Sequence, residues 1–304
     1  MLDRILVPLD GSATAQAILP HLRRLLRRRD SEVLLLSVAP PPIAEAQISV
    51  MEASLAASRE YILGIKETLE RQGVRVRAEA RMGPPASVIL DMAEEEEVSL
   101  IALATHGRTG LKRALLGSVA EQILRKSRVP VFVVRPFWSY EVLPPKTALD
   151  QPFTSILVPT DQSDSSLAVL TPAAELADLF GARLVLLHVL EEAKRGKAGG
   201  GRGEESVARA ALEAVAKSMK AKETAIVVHR GDPSSAILET ARASRCDLIA
   251  MATHGRSGIS RLVVGSVTEK VLREAKVPLL IVKATATPVK AGKRAAKPVG
   301  KEMR

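Results

Sequence analysis

One cysteine in 304 residues, an aromatic content of 2% and no long apolar run exclude more than they reveal. A lone Cys246 forms neither an internal disulfide nor a CxxC metal site. It stands before Asp247 at the entrance to an apolar segment, where a small structural side chain is expected rather than a nucleophile. So few aromatics leave no platform for stacking single-stranded nucleic acid. No apolar stretch approaches the roughly 20 residues that cross a bilayer, and the chain opens on a strand pattern, MLDRILVPLD, without the segments of a secretion signal. A cytoplasmic location without a membrane partner is expected. There is no GxxxxGK(S/T) loop, no GxGxxG and no GxSxG elbow, and no carboxylate pair with a lysine marks a magnesium-dependent phosphoryl-transfer site. No catalytic residue and no metal ligand is assigned.

The net charge of +10 divides unevenly. Six cations against Glu302 in residues 284–304 supply +5 of it, in a segment (ATATPVKAGKRAAKPVGKEMR) with almost no large apolar residue, so this tail is expected to be disordered. Nucleic acid is expected only as a weak contact of that tail. The remainder, 46% hydrophobic and 26% charged over the whole chain, is long enough for two domains with adequate cores.

What the sequence does contain, it contains twice. Ala104-Thr105-His106-Gly107-Arg108-Thr109-Gly110 follows the apolar run SLIALA and precedes Gly117-Ser118-Val119; Ala252-Thr253-His254-Gly255-Arg256-Ser257-Gly258 follows DLIAMA and precedes Gly265-Ser266-Val267. Ten of the sixteen positions from Ala104 to Val119 recur. ILVPLD (Ile5 to Asp10) is answered by ILVPTD (Ile156 to Asp161) and EVLLLSVA by RLVLLHVL, 151 residues on; from Gly83 and Gly231 onward the offset is 148. The three-residue difference falls in the variable stretch between, which predicts a helix at about Glu45 to Gln72 in the first copy. In the second it predicts a low-complexity loop, then a helix from about Ser206 to Met219.

Continuous apolar runs suit a parallel sheet covered on both faces. VRVRAEAR, alternating with period two, has one wet face and is expected at an edge. Gly83-Pro84-Pro85 and Gly231-Asp232-Pro233 open helices, and the acidic run Glu94 to Glu97 is expected as a solvated helix end. The fold predicted is α/β: two tandem doubly wound (Rossmann-like, HUP-type) domains, each a five-stranded parallel sheet flanked by helices. Domain 1 spans 1–136, a linker 137–152, domain 2 153–283 and the basic tail 284–304. The last strands, from Val129 and Val277, are too apolar to remain exposed edges and should pair the two domains about a pseudo-twofold.

In a doubly wound sheet ligands bind beyond the carboxyl ends of the strands, where the strand order reverses. That point lies beside the first strand, and Asp10, Val38 and the Thr105-His106-Gly107 loop all reach it. A carboxylate accepts from ribose hydroxyls or an adenine amine, a strand-end backbone pairs with a base edge, and glycines with a helix N-terminus receive phosphates. Each residue also has a plainer role. Ser118-x-x-Glu121 and Ser266-x-x-Glu269 read as capping boxes, Asp10 or Ser12, like Asp161 or Ser163, can cap the next helix, and Leu103 and Met251 are core residues. Gly110 and Gly258 serve the turn, Arg108 and Arg256 either offset phosphate charge or are solvated, and His106 and His254 stand without a second ligand at metal spacing.

At these residues the chain resembles the universal stress protein family in its tandem form. ATP-binding members carry G-x2-G-x9-G-(S/T) after the fourth strand. Gly107 with Gly117-Ser118, and Gly255 with Gly265-Ser266, fit its last two glycines, while Ala104 and Ala252 replace the first. The resemblance covers about residues 1–136 and 153–283. It implies that Asp10 and Asp161 contact adenosine, with Val38 and Val189 at the adenine. It implies that the glycines, Ser118 and Ser266 contact phosphates; Pro8, Val119, Pro159 and Val267, together with His106, Arg108, His254 and Arg256, complete the expected sites. The ligand implied is ATP, with or without Mg2+, and the role a stress response. The partners expected are an adenine nucleotide, a pseudo-dimer of the two domains within the chain, and a homodimer of chains. A nucleotide-free interaction module of the same fold and a slow ATPase stand as alternatives.

Overall fold

Apolar runs that end in turn residues become the interior strands of this fold. The computed structural model describes residues 2–26, 30–41, 48–105, 116–135, 151–190, 202–219, 223–253 and 264–283. The calls on His106, Gly107, Arg108, Gly110, His254, Gly255, Arg256 and Gly258, on most of the linker and on the basic tail lie outside these residues.

The first half holds β1 (Arg4–Pro8), α1 (Ala13–Gln16), α2 (Leu19–Leu25), β2 (Glu32–Ala39), α3 (Ile48–Glu70), β3 (Arg75–Met82), α4 (Pro85–Glu95), β4 (Leu100–Ala104), α5 (Ser118–Lys126) and β5 (Val131–Val134). The second repeats it as β6 (Ser155–Pro159), α6 (Asp164–Leu167), α7 (Leu170–Phe180), β7 (Arg183–Leu190), α8 (Arg202–Ser218), β8 (Thr224–Arg230), α9 (Pro233–Ala243), β9 (Leu248–Ala252), α10 (Ser266–Glu274) and β10 (Leu279–Val282). In the first copy the third helix ends at Glu70, two residues before the expected end, and the expected start at Glu45 lies outside the described residues; α8 starts four residues early, taking in residues assigned to the low-complexity loop.

The strands form one ten-stranded sheet in the order β3-β2-β1-β4-β5-β10-β9-β6-β7-β8. Within each half every pairing is parallel, and the order reverses beside β1 and β6 as a doubly wound sheet requires. Alternate strand residues serve two cores. Ile5, Val7 and Leu35 meet Leu22, Leu25 and Ile62 on one face; Leu6, Leu34 and Ile101 meet Ile89, Met92 and Ile123 on the other. β3 lies at the edge, where its arginines engage the acidic run: Arg81 reaches Glu95 at 2.7 Å and Arg77 reaches Glu96 at 2.9 Å. The Arg77 hydrogen bond holds the Glu96 carboxyl below its ordinary range. The run is thus a helix end tied by ion pairs, and among the described residues no cluster of acids, histidines or cysteines could hold a metal. Cys246 is buried, its thiol pushed up by desolvation, in keeping with a packing role. No described helix is long and apolar enough to cross a membrane.

The halves join through their last strands. β10 runs antiparallel to β5, with Leu279 opposite Val133, Leu280 opposite Phe132 and Ile281 opposite Val131. Since Phe132 and Leu280 are equivalent in the two copies, a pseudo-twofold passes between them, and the seam is isologous as in a symmetric dimer. Aromatics, scarce elsewhere, gather here. Phe132 packs edge-on to Phe153 at 6.0 Å, and Phe153 stands 5.3 Å from Phe180. Arg24 of α2 lies 3.8 Å over the Phe153 ring and donates to Asp247 of the other half at 2.7 Å. Asp247 also accepts from the amides of Thr154 and Ser155.

His21 is buried against Phe132, with Nδ1 unpartnered among the described residues. Desolvation, aided by the Arg24 charge, lowers its pKa from 6.5 to about 4. The unfolded chain therefore binds the proton first, so His21 stabilises the fold fully above pH 6.5 and loses that contribution as the pH falls toward 4. His21→Leu should gain about 3 kcal/mol relative to wild type between pH 7 and pH 4. Denaturant titrations at both values check this; an unchanged difference between the proteins would contradict the burial account.

Candidate functional site

Beyond the carboxyl end of β1 the chain must turn sharply into α1, and the turn is built from polar side chains. Ser12 caps α1 by accepting from the Ala15 amide, and Asp10 Oδ1 accepts from the Ser12 amide at 3.0 Å and the Ser12 hydroxyl at 2.6 Å. The second copy repeats this with Ser163 and Asp161, again at 3.0 and 2.6 Å. The serine, not the aspartate, is the helix cap; the carboxylate orients it from the cleft side.

The glycine-serine pair starts α5 and α10 differently from the expected capping boxes. Gly117 and Gly265 are the N-caps, with no side-chain cap bond, and Ser118 and Ser266 are the first helical residues. A serine at that position cannot reach back as a cap does. The Gly117 amide donates to the Thr105 carbonyl at 2.7 Å and Gly265 to Thr253 at 2.9 Å, so these amides close the loop rather than face a ligand. Ser118, Val119 and Ala120 are left as amides without intrahelical acceptors at the positive end of the helix. Gly117 has φ −65° and ψ 146°, open to any residue, and it lines the cleft. Ala104 and Ala252 end β4 and β9 in regular pairing, Ala104 opposite Val134 and Ala252 opposite Val282, and neither has positive φ. Alanine is unstrained at both places.

These parts surround one cleft per half. In the first, of about 250 Å³, Pro8, Asp10, Val38, Ala104, Gly117, Ser118 and Val119 meet. In the second, of about 500 Å³, Pro159, Asp161, Val189, Ala252, Gly265, Ser266 and Val267 meet. Every expected site residue within the described part of the chain thus lines its cleft. Leu103 and Met251 serve both the core and the cleft wall. Sequence reasoning passed over Pro85, Ile89 and, in the second half, Thr160, Ser166, His188 and Thr268. For His188 there was a signal: a polar residue inside the otherwise apolar LVLLHVL.

Two doubly wound domains in tandem, each with a cleft at its switch point, define the class. The sequence profile of the universal stress protein family matches residues 1–135 and 152–283, and the chain belongs to that family. A universal stress protein of Mycolicibacterium smegmatis is 25% identical over 295 residues, 92% of this chain and 96% of its own. The Methanocaldococcus jannaschii universal stress protein MJ0531 is 33% identical over 138 residues, 43% of this chain and 81% of its own. Among solved structures, a universal stress protein from Archaeoglobus fulgidus matches with a TM-score of 0.73 at 22% identity, covering 93% of this chain and 99% of that one, a likeness of fold.

One difference between the copies, beside each cleft aspartate, is a matter of backbone. Gly11, next to Asp10, has φ +86°; its counterpart in the second copy is Gln162, at φ +64°. A side chain in this region costs about 1–2 kcal/mol, partly offset by the lower unfolded-state entropy of a non-glycine residue. Gln162→Gly should raise stability by about 0.5–1 kcal/mol in urea titration; a loss would mean that the glutamine side chain makes a contact worth more than the strain.

Proposed function

We propose that this chain is a cytoplasmic stress-response regulator that binds an adenine nucleotide, ATP foremost, in both clefts and acts through its occupancy. The observation carrying this reading is the convergence, at each switch point, of a carboxylate, a strand-end backbone and a helix N-terminus, from segments about 100 residues apart in the chain. Ribose hydroxyls would donate to Asp10 or Asp161, the base would lie along Val38 or Val189 between apolar walls, and phosphates would meet the N-terminal amides of α5 or α10. The unstrained Ala104 and Ala252 favour the reading, because the two departures from the family's glycine pattern fall where no glycine is needed.

A solved universal stress protein, 26% identical over 44% of this chain with a TM-score of 0.37, was crystallised with cAMP; that ligand is that protein's own, and cAMP serves here as a competitor in the assay. Calorimetric titration of the full chain with ATP should give two sites, and Gly117→Leu should remove one while sparing the other. Two intact sites in the variant would refute the phosphate assignment. No heat with ATP or cAMP would leave the family fold as an interaction module.

A further inference from the structure

The two clefts are copies in backbone but not in chemistry. Leu9, Ala15 and Ala120 of the first are replaced in the second by Thr160, Ser166 and Thr268, and Ser37 by His188. All four replacements are buried, His188 to within 7% of full burial. The hydroxyls are committed to the protein. Ser166 donates to the Ser163 carbonyl at 2.9 Å, so at its 2.9 Å contact with Thr160 it must accept, and Thr160 is the donor. Thr160 Oγ1 in turn accepts from the Gln162 amide at 2.9 Å, and Thr268 donates to the Ala252 carbonyl at 3.0 Å.

This chain fixes Thr160, and Thr160 fixes the imidazole. His188 Nδ1 lies 2.8 Å from the Thr160 carbonyl oxygen. A carbonyl only accepts, so Nδ1 carries the proton and Nε2 of the neutral ring holds a lone pair. His188 is among the residues that line the cleft, and Nε2, absent from the described side-chain atoms that are both buried and unpartnered, keeps accessible surface. It has no protein partner among the described residues. The hydroxyl protons being spent on protein acceptors, Nε2 is an oriented nitrogen acceptor that the first cleft does not have.

We infer that His188 is the residue that sets the second cleft apart, its Nε2 accepting a hydrogen bond from an N–H or O–H donor of the bound nucleoside. The inference rests on the nucleotide reading above. The second site then discriminates between nucleotides by a donor that the first site does not test, and an analogue lacking it is refused there alone. A site built around an acceptor is left with an unmet buried group when the donor is missing, which is why such contacts discriminate well.

His188→Asn separates this role from a structural one, since the asparagine amide can still donate to the Thr160 carbonyl while the distal acceptor is gone. In calorimetry with ATP, His188→Asn should weaken one site by about five- to ten-fold and leave the other unchanged. The sources of the donor are told apart by 2′-deoxy-ATP and inosine triphosphate: the analogue lacking it should show that loss on wild type and no further loss on the variant. Identical ATP affinities in wild type and His188→Asn would overturn the His188 contact and leave the nucleotide reading standing, whereas wild type that binds no nucleotide removes both. Should the variant fail to fold, the imidazole 15N resonances of wild type decide: that of His188 Nε2 should shift when ATP is added, and one that stays put overturns the inference.

Discussion

The antiparallel seam between β5 and β10 is the constraint on which the molecule's layout depends. Strands this apolar cannot remain open to water. Pairing them covers both edges at once and sets the halves antiparallel, so the two clefts open at opposite ends of one continuous sheet. Packing follows the same logic. Three of the four phenylalanines stack beside the seam, and Arg24 ties α2 to Phe153 and Asp247 across it. A chain that might have been two beads on a string is thereby one sheet with a shared core.

Within each half, a second small interaction positions the functional geometry. The Gly117 amide bonded to the Thr105 carbonyl holds the start of α5 over the end of the fourth strand. The amides offered to a ligand are consequently those of the first helical turn. The same division of labour recurs at Asp10, whose Oδ1 holds the capping serine while the residue borders the cleft.

Duplication made most of this legible in the sequence. Two offsets, 151 and 148, align the strands, and alternation in VRVRAEAR against continuous runs elsewhere separates edge from interior. The pairing of the last strands followed from their apolarity alone. What sequence spacing misjudged was local: S-x-x-E matches a capping box in letters, but the loop closure places the cap one residue earlier, at glycine. The polar set of the second cleft was not legible either. Thr160, Ser166 and Thr268 look like ordinary variation between copies until the fold brings residues more than 100 positions apart around one cleft. The edges show a related asymmetry, for β3 carries paired arginines where β8 carries TAIVVHR.

The account's central claim is that each half holds an adenine nucleotide at its switch point. The most direct measurement is mass spectrometry of the small molecules released when the purified full-length protein is denatured, quantified against protein concentration. The account predicts ATP at close to two per chain; an extract free of nucleotide, from protein that also takes up none on incubation with ATP, would contradict it.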